Sequence, residues 1–280
     1  DGAGSGAAMV DAASTLQIST FTSDVTFADG ADIITASAGT SNVRVGVNAG
    51  NSITSGGNYN VVVGDEAGTA LTTGDSNVAI GFEALKTEDA HGFNTAIGYQ
   101  ALKVQDAGAD AYNTAVGYQA GLDISTGVRN TLVGGTAGTN LTTGGENIAV
   151  GYGALFTDDL GSHNVAVGVS ALQNQNFATA TDSHNTAVGF SAGLSVTTGV
   201  NNTLIGALAG DALTDSDNNV AVGTGALSSD TLGKHTVAIG QGALNVQNFA
   251  TAIVSDNTAV GYNAGGAVTT GTQNTFIGSL

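Results

Sequence analysis

Short runs of alternating apolar and polar positions recur along most of this chain. From residue 42 onward each run reads Asn, a β-branched residue, a small residue, a β-branched residue and Gly, as in Asn113-Thr114-Ala115-Val116-Gly117. The run begins at positions 42, 60, 77, 94, 113, 130, 147, 164, 185, 202, 219, 236, 257 and 274, which makes fourteen copies mostly 17 residues apart. Counting from that first residue, position 2 is always Thr, Val or Ile, position 4 is Val or Ile, and position 5 is Gly. Position 8 is Ala in every copy long enough to have one. Side chains alternate along a strand, so positions 2 and 4 share one face and position 3, usually Ala, takes the other. Gly at position 5 and again near position 14 marks bends. Several copies close with Thr-Thr-Gly, as at Thr72-Thr73-Gly74 and Thr197-Thr198-Gly199.

A unit of this kind, two short strands and two turns, predicts one coil of a parallel β-solenoid (a β-roll or β-helix), an all-β fold. One coil cannot bury its apolar face alone, whereas stacked coils bury a continuous one. Stacked strands lie about 4.8 Å apart, so fourteen coils would make a rod on the order of 65 Å long. Position 1 is Asn at Asn42, Asn60, Asn77, Asn94, Asn113, Asn130, Asn147, Asn164, Asn185, Asn202, Asn219, Asn257 and Asn274, with Thr236 in the remaining copy. These Asn residues are expected to form a structural ladder, each amide bonding the coils above and below.

A longer period overlies the first. Spacings of 17, 17, 17 and 21 residues run from Asn113 to Asn185 and again from Asn185 to Asn257, a 72-residue unit of four coils. Position 9 is Gly in the first two coils of a unit (Gly121, Gly138) and Leu in the last two (Leu155, Leu172). Position 3 is bulky in the second coil, at Val62, Leu132, Leu204 and Phe276. A longer connection closes each unit, at Val104–Tyr112, Gln173–His184 and Asn245–Asp256. Two of these share Gln-Asn-Phe-Ala-Thr-Ala, and loops on a rigid scaffold are where binding commonly resides. The candidate binding residues are therefore Gln175, Asn176, Phe177, Gln247, Asn248 and Phe249. Phe177 and Phe249 are candidates for exposed aromatic contacts, the competing reading being that each folds back onto its own rod.

Residues 1–41 stand outside the array. Strand-like stretches between Leu16 and Thr35 suit an N-terminal cap, an attachment segment or a pairing segment for a neighbouring subunit. The chain opens on Asp1-Gly2 and stops within a copy, as expected of a processed product or a piece of something longer.

Charge narrows the choice of partners. The chain has 23 acidic and 5 basic residues, a net charge of −18, which repels nucleic acid. The acids are scattered, and they suit either a soluble, non-sticking surface or divalent cations held between copies. No apolar run reaches the roughly 18 residues of a membrane span. With no Cys there is no disulfide or thiolate metal site, and such a chain suits an oxidising exterior. His163, His184 and His235 each precede the start of a copy and His91 lies near one, so they read as polar turn residues spread along the rod. No metal site is expected, because ligation needs converging side chains. Asp215 and Asp217 alternate as in a calcium loop but lack its Gly and distal Glu. Trimeric β-helical acyltransferases use a hexapeptide period, 18 residues per coil, with a His base at a coil border; the period of 17 does not fit, and no enzyme activity or cofactor is expected. Ice binding needs flat Thr ladders, whereas the Thr pairs sit at a turn where adjacent residues face opposite ways.

The phrase at Asn113–Ala120, and Asn94-Thr95-Ala96-Ile97-Gly98-Tyr99-Gln100-Ala101-Leu102, resembles the head repeats of trimeric autotransporter adhesins and the repeat regions of bacteriophage tail-fibre proteins. The resemblance covers residues 42–280. It implies a homotrimeric β-roll on a virion or cell surface and says little about the ligand; loops held at fixed intervals on a rod suit weak, additive contacts to a surface glycan or receptor. Independently, strand positions 2 to 4 are apolar or Thr on both faces, as in strands buried on both sides. One narrow coil has one interior, so the other face is expected to meet a second chain around an axis. The expected function is a structural fibre or adhesin rod that mediates attachment through its repeated loops. The alternative is a subunit of a head-to-tail extracellular filament without a specific receptor.

Overall fold

The computed structural model describes residues 38–279. The stretches between Leu16 and Thr35 expected to form strands lie outside these residues. Every regular element among the described residues is a strand. Fourteen strands of three residues each, from Val43–Val45 to Thr275–Ile277, form one parallel sheet. They follow one another in chain order, one per copy of the repeat. The register is in phase throughout, so that Ala79 pairs with Ala96 and Ala115 with Leu132. The fold is a parallel β-solenoid of fourteen coils about 17 residues apart, and coils 1 to 14 are numbered below by the copies that begin them.

The middle residue of each strand points inward. Ala79, Ala96, Ala115, Leu132, Ala149 and Ala166 are fully buried, while the β-branched residues on either side are half-exposed. Position 8 Ala, position 9 Leu and the apolar residues at position 12 (Leu71, Ile124, Leu141, Leu213) complete one continuous core. Bulk is complementary between coils. Leu132 of coil 6 occupies the space beside Gly121 and Gly138, where a Cβ would stand about 2.8 Å from its δ-methyl groups. This explains why position 3 is large only where position 9 is Gly.

Gly at position 5 ends each strand. Its φ lies between 126° and 142°, a region closed to L side chains. In coils 1 to 13 an added Cβ would also strike the backbone of the same Gly in the next coil.

The expectation of two strands per coil fails in most coils. Positions 7, 9 and 17 adopt left-handed φ, as at Gln119 (53°), Leu155 (52°) and His163 (62°). These kinks break an extended run, so the second side is a stack of turns. The turns still hydrogen-bond from coil to coil, as Gly121 N to Ala137 O and Leu155 N to Ala171 O. Among the described residues, short second strands occur only beside the two longer unit-closing loops, where Gly161–Ser162 pairs with Thr181–Asp182 and Gly233–Lys234 with Ile253–Val254.

Candidate functional site

Position 1 forms a backbone-to-side-chain ladder. In coil after coil the Asn Oδ1 accepts the backbone N–H of the next position 1, as from Asn130 N to Asn113 (2.8 Å) and Asn147 N to Asn130 (3.0 Å). The Asn Nδ2 donates to a carbonyl in the turn that ends its own coil, as Asn130 to Gly144 (3.0 Å). Direct amide-to-amide bonds occur in a few coils, such as Asn202 to Asn185 (3.2 Å). Coil 12 has Thr236, and its hydroxyl pairs with Ser255 Oγ (2.6 Å). Asn42 through Asn257 are buried and Asn274 is half-buried.

Of the two readings of the closing loops, the structure takes the one in which each Phe folds back onto its own rod, and it buries the Gln of the shared motif as well. Gln175 and Gln247 are fully buried, and Phe177 and Phe249 are only 5% exposed. Asn176 and Asn248 alone of the six face solvent. The physical reason is a buried polar chain. Position 12 carries an acid in the third coil of each unit (Glu88, Asp158, Asp230) and Gln in the fourth (Gln105, Gln175, Gln247), where Leu at position 9 fills the apolar space. Gln175 Nε2 donates to Asp158 Oδ2 (2.6 Å), Gly161 N donates to Asp158 Oδ1 (3.0 Å), and Asn185 Nδ2 donates to Gln175 Oε1 (2.8 Å). The same chain links Gln247 to Asp230 (2.6 Å) and Asn257 to Gln247 (2.7 Å). Burial pushes the Asp158 carboxyl above its ordinary value, and these donors partly offset the shift. Phe249 folds over Gly233, whose missing Cβ leaves room for the ring.

What faces solvent instead is a column at position 6, directly after the strand. Phe82, Tyr99 and Tyr118 stack face to face at 5.3 and 5.4 Å between ring centroids. Tyr152, Phe190 and Tyr262 recur at the same position further along, each more than half exposed and separated from the next aromatic by coils with Gly135, Val169, Ala207, Thr224 and Gln241 there. Below Tyr152 lies a groove of about 270 Å³ lined by Gln119, Thr136, Thr139, Tyr152, Phe156 and Gln173. The larger cavity, about 360 Å³, surrounds Phe276 beside the last strand, in the place a following coil occupies elsewhere in the stack. The position 6 column was legible in the sequence as a recurrence of Tyr and Phe after the invariant Gly.

The positive charges are tied down. Lys103 Nζ lies 2.6 Å from Glu83 Oε2, and Lys86 Nζ lies 2.6 Å from Glu83 Oε1 and 3.7 Å from Glu66. The histidines are less isolated than their spacing suggested. His163 and His184 stack at 5.0 Å, and His163 Nδ1 lies 3.1 Å from Asp182 and its Nε2 3.2 Å from Glu146. His91 lies with Glu88, Asp89 and Asp106.

Fold and surface together define a parallel β-solenoid repeat protein with a half-exposed apolar strand face and an exposed aromatic edge. Comparison with protein-family models, curated proteins and solved structures gives no match. No helix among the described residues is long and apolar enough to cross a membrane.

Proposed function

We propose that this chain is a structural subunit of an extracellular or virion fibre, a homotrimeric rod that attaches to a surface glycan or receptor. One observation carries the reading. The outward strand positions form an unbroken Val, Ile and Thr face along the whole coil stack, with Val45 55%, Ile148 42% and Ile205 39% exposed in the single chain. A contiguous apolar surface of that extent marks an interaction site. Three copies around an axis would cover it with the same face from each chain. The resemblance of Asn94–Leu102 to adhesin-head and tail-fibre repeats supports the same assembly.

Attachment falls to the exposed aromatic column and the Tyr152 groove, with Asn176 and Asn248 on the closing loops as further polar contacts. Flat aromatic faces flanked by the amides of Gln119 and Gln173 suit the apolar faces and hydroxyls of a sugar. Repetition along a rigid scaffold lets weak contacts add.

Multi-angle light scattering over a hundredfold concentration range tests the assembly. A closed fibre gives one mass, three times that of the chain, at every concentration. Mass that grows with concentration would favour a head-to-tail filament, and a monomer throughout would sink both.

A further inference from the structure

The four-coil repetition supplies an internal comparison for the acid at position 12. In the second and third units this acid is Asp158 or Asp230, and both of its oxygens accept hydrogen bonds, from a Gln amide and a Gly N–H. In the first unit it is Glu88, and the arrangement differs. Gln105 turns its Nε2 toward Ser125 O (3.4 Å). Glu88 Oε1 accepts the backbone N–H of His91 (3.1 Å), while Glu88 Oε2 is buried with no hydrogen-bond partner. His91 Nδ1 is also buried and lacks an aligned hydrogen bond, although it lies 3.3 Å from Glu88 Oε1.

Two buried, unsatisfied ligating atoms thus meet at one place, which a native fold seldom tolerates without a missing partner. Around them stand two more carboxylates. Asp89 lies on the same turn, and Asp106 reaches across from the closing loop of coil 4. One ligating atom from each of Glu88, Asp89, His91 and Asp106 lies within 4.8 Å of the others. The backbone that carries them is pinned: Asp89 O accepts from Thr72 N (2.6 Å), His91 O accepts from Asn77 Nδ2 (3.0 Å), and Asp106 N donates to Ser125 O (2.8 Å).

The geometry points to a divalent metal site formed by Glu88, Asp89, His91 and Asp106, clamping the turn of coil 3 to the unit-closing loop of coil 4. Three carboxylates and one imidazole suit Mn²⁺ or Zn²⁺ better than Mg²⁺ or Ca²⁺, which favour oxygen ligands alone. Glu88 is interior, whereas Asp89 and Asp106 are exposed, so an ion can enter from solvent and keep water ligands. A bound dication would balance the buried Glu88 carboxylate and the Asp106 carboxylate beside it. Nothing in this assignment depends on how the rods assemble.

Titration calorimetry of the chelator-treated full chain with ZnCl₂, MnCl₂ and CaCl₂ tests the site. We expect one Zn²⁺ or Mn²⁺ per chain at this site, bound at least about tenfold more tightly than Ca²⁺. Glu88→Gln and Asp106→Asn should each weaken binding at least about tenfold, with thermal melting of the metal-free variants as the folding control. Asp106 is exposed, so its variant stays informative if Glu88→Gln fails to fold. Absence of binding at millimolar metal would overturn the assignment. So would unchanged affinity in both variants, or loss of binding only on replacing His163 and His184, which with Asp182 form a second group of converging ligand atoms.

Discussion

Position 5 shows how one residue type can be demanded twice. Gly117 has φ 142°, and a Cβ on it would drive into the backbone of Gly134. Gly153 also has positive φ, 64°, but open space around it. Gly117→Ala should therefore cost about 3 kcal/mol or more, and Gly153→Ala only about 1 kcal/mol, the left-handed penalty alone. Urea unfolding of the two variants separates these contributions, and equal losses would refute the packing argument. A second residue-scale effect concerns charge. Hydrogen bonds from Lys103, then Lys86 and Gln100, hold the Glu83 carboxyl down to about 2 from 4.5. A group whose folded value is depressed contributes stability above its unfolded value and loses it as pH falls through the folded one. Wild type should thus lose more stability than Glu83→Gln between pH 4.5 and about 2. Unfolding midpoints across that range that fall in parallel would count against the pairing.

The coil is the element of this fold, and its neighbours define its interior. Leu132 is fully buried against the space that Gly121 and Gly138 leave open. Truncating it leaves a cavity that Ala-rich neighbours cannot fill, so Leu132→Ala should cost about 3 kcal/mol. Chemical denaturation measures this, and a loss near zero would mean that the coils close over the gap. The alternation behind this packing was visible in the sequence at positions 3 and 9. Its counterpart at position 12, apolar in two coils and then acid and Gln, was equally visible. That pattern predicts that Gln175 and Gln247 belong to the interior of the fold. The loop reading missed this because a polar residue in a connection resembles a surface residue until its partners are placed. Asp158 and Asn185, which hold Gln175, lie in different coils.

At the scale of the whole chain, a net charge of −18 accompanies a described interior that includes carboxyls. Burial pushes Asp158 and Asp211 above their ordinary value of 3.8. For an acid with a raised folded value, the folded state binds more protons in the window above 3.8, so stability falls as pH rises through it. Mutual repulsion among surface carboxylates acts in the same direction. The melting temperature should accordingly be higher near pH 5 than near pH 7.5 at fixed ionic strength, and added salt should narrow the gap. A lower melting temperature at pH 5 would show that other titrating groups dominate.

The parallel stack, its coil number, its in-phase register and its four-coil grouping can all be read from the residue pattern alone. Each of these follows from the period, because repeated residues satisfy one another only when they lie directly above their counterparts. Which strand face is the interior, that the second side of most coils is turns, and which of the two readings the loop aromatics take emerge only when the coils are stacked. Those outcomes depend on coil curvature, which comes from left-handed φ at non-Gly residues such as Gln119, Leu155 and His163. No residue type announces that conformation. The same curvature brings Asp106 to Glu88 and His184 to His163, meetings between coils that linear spacing does not show.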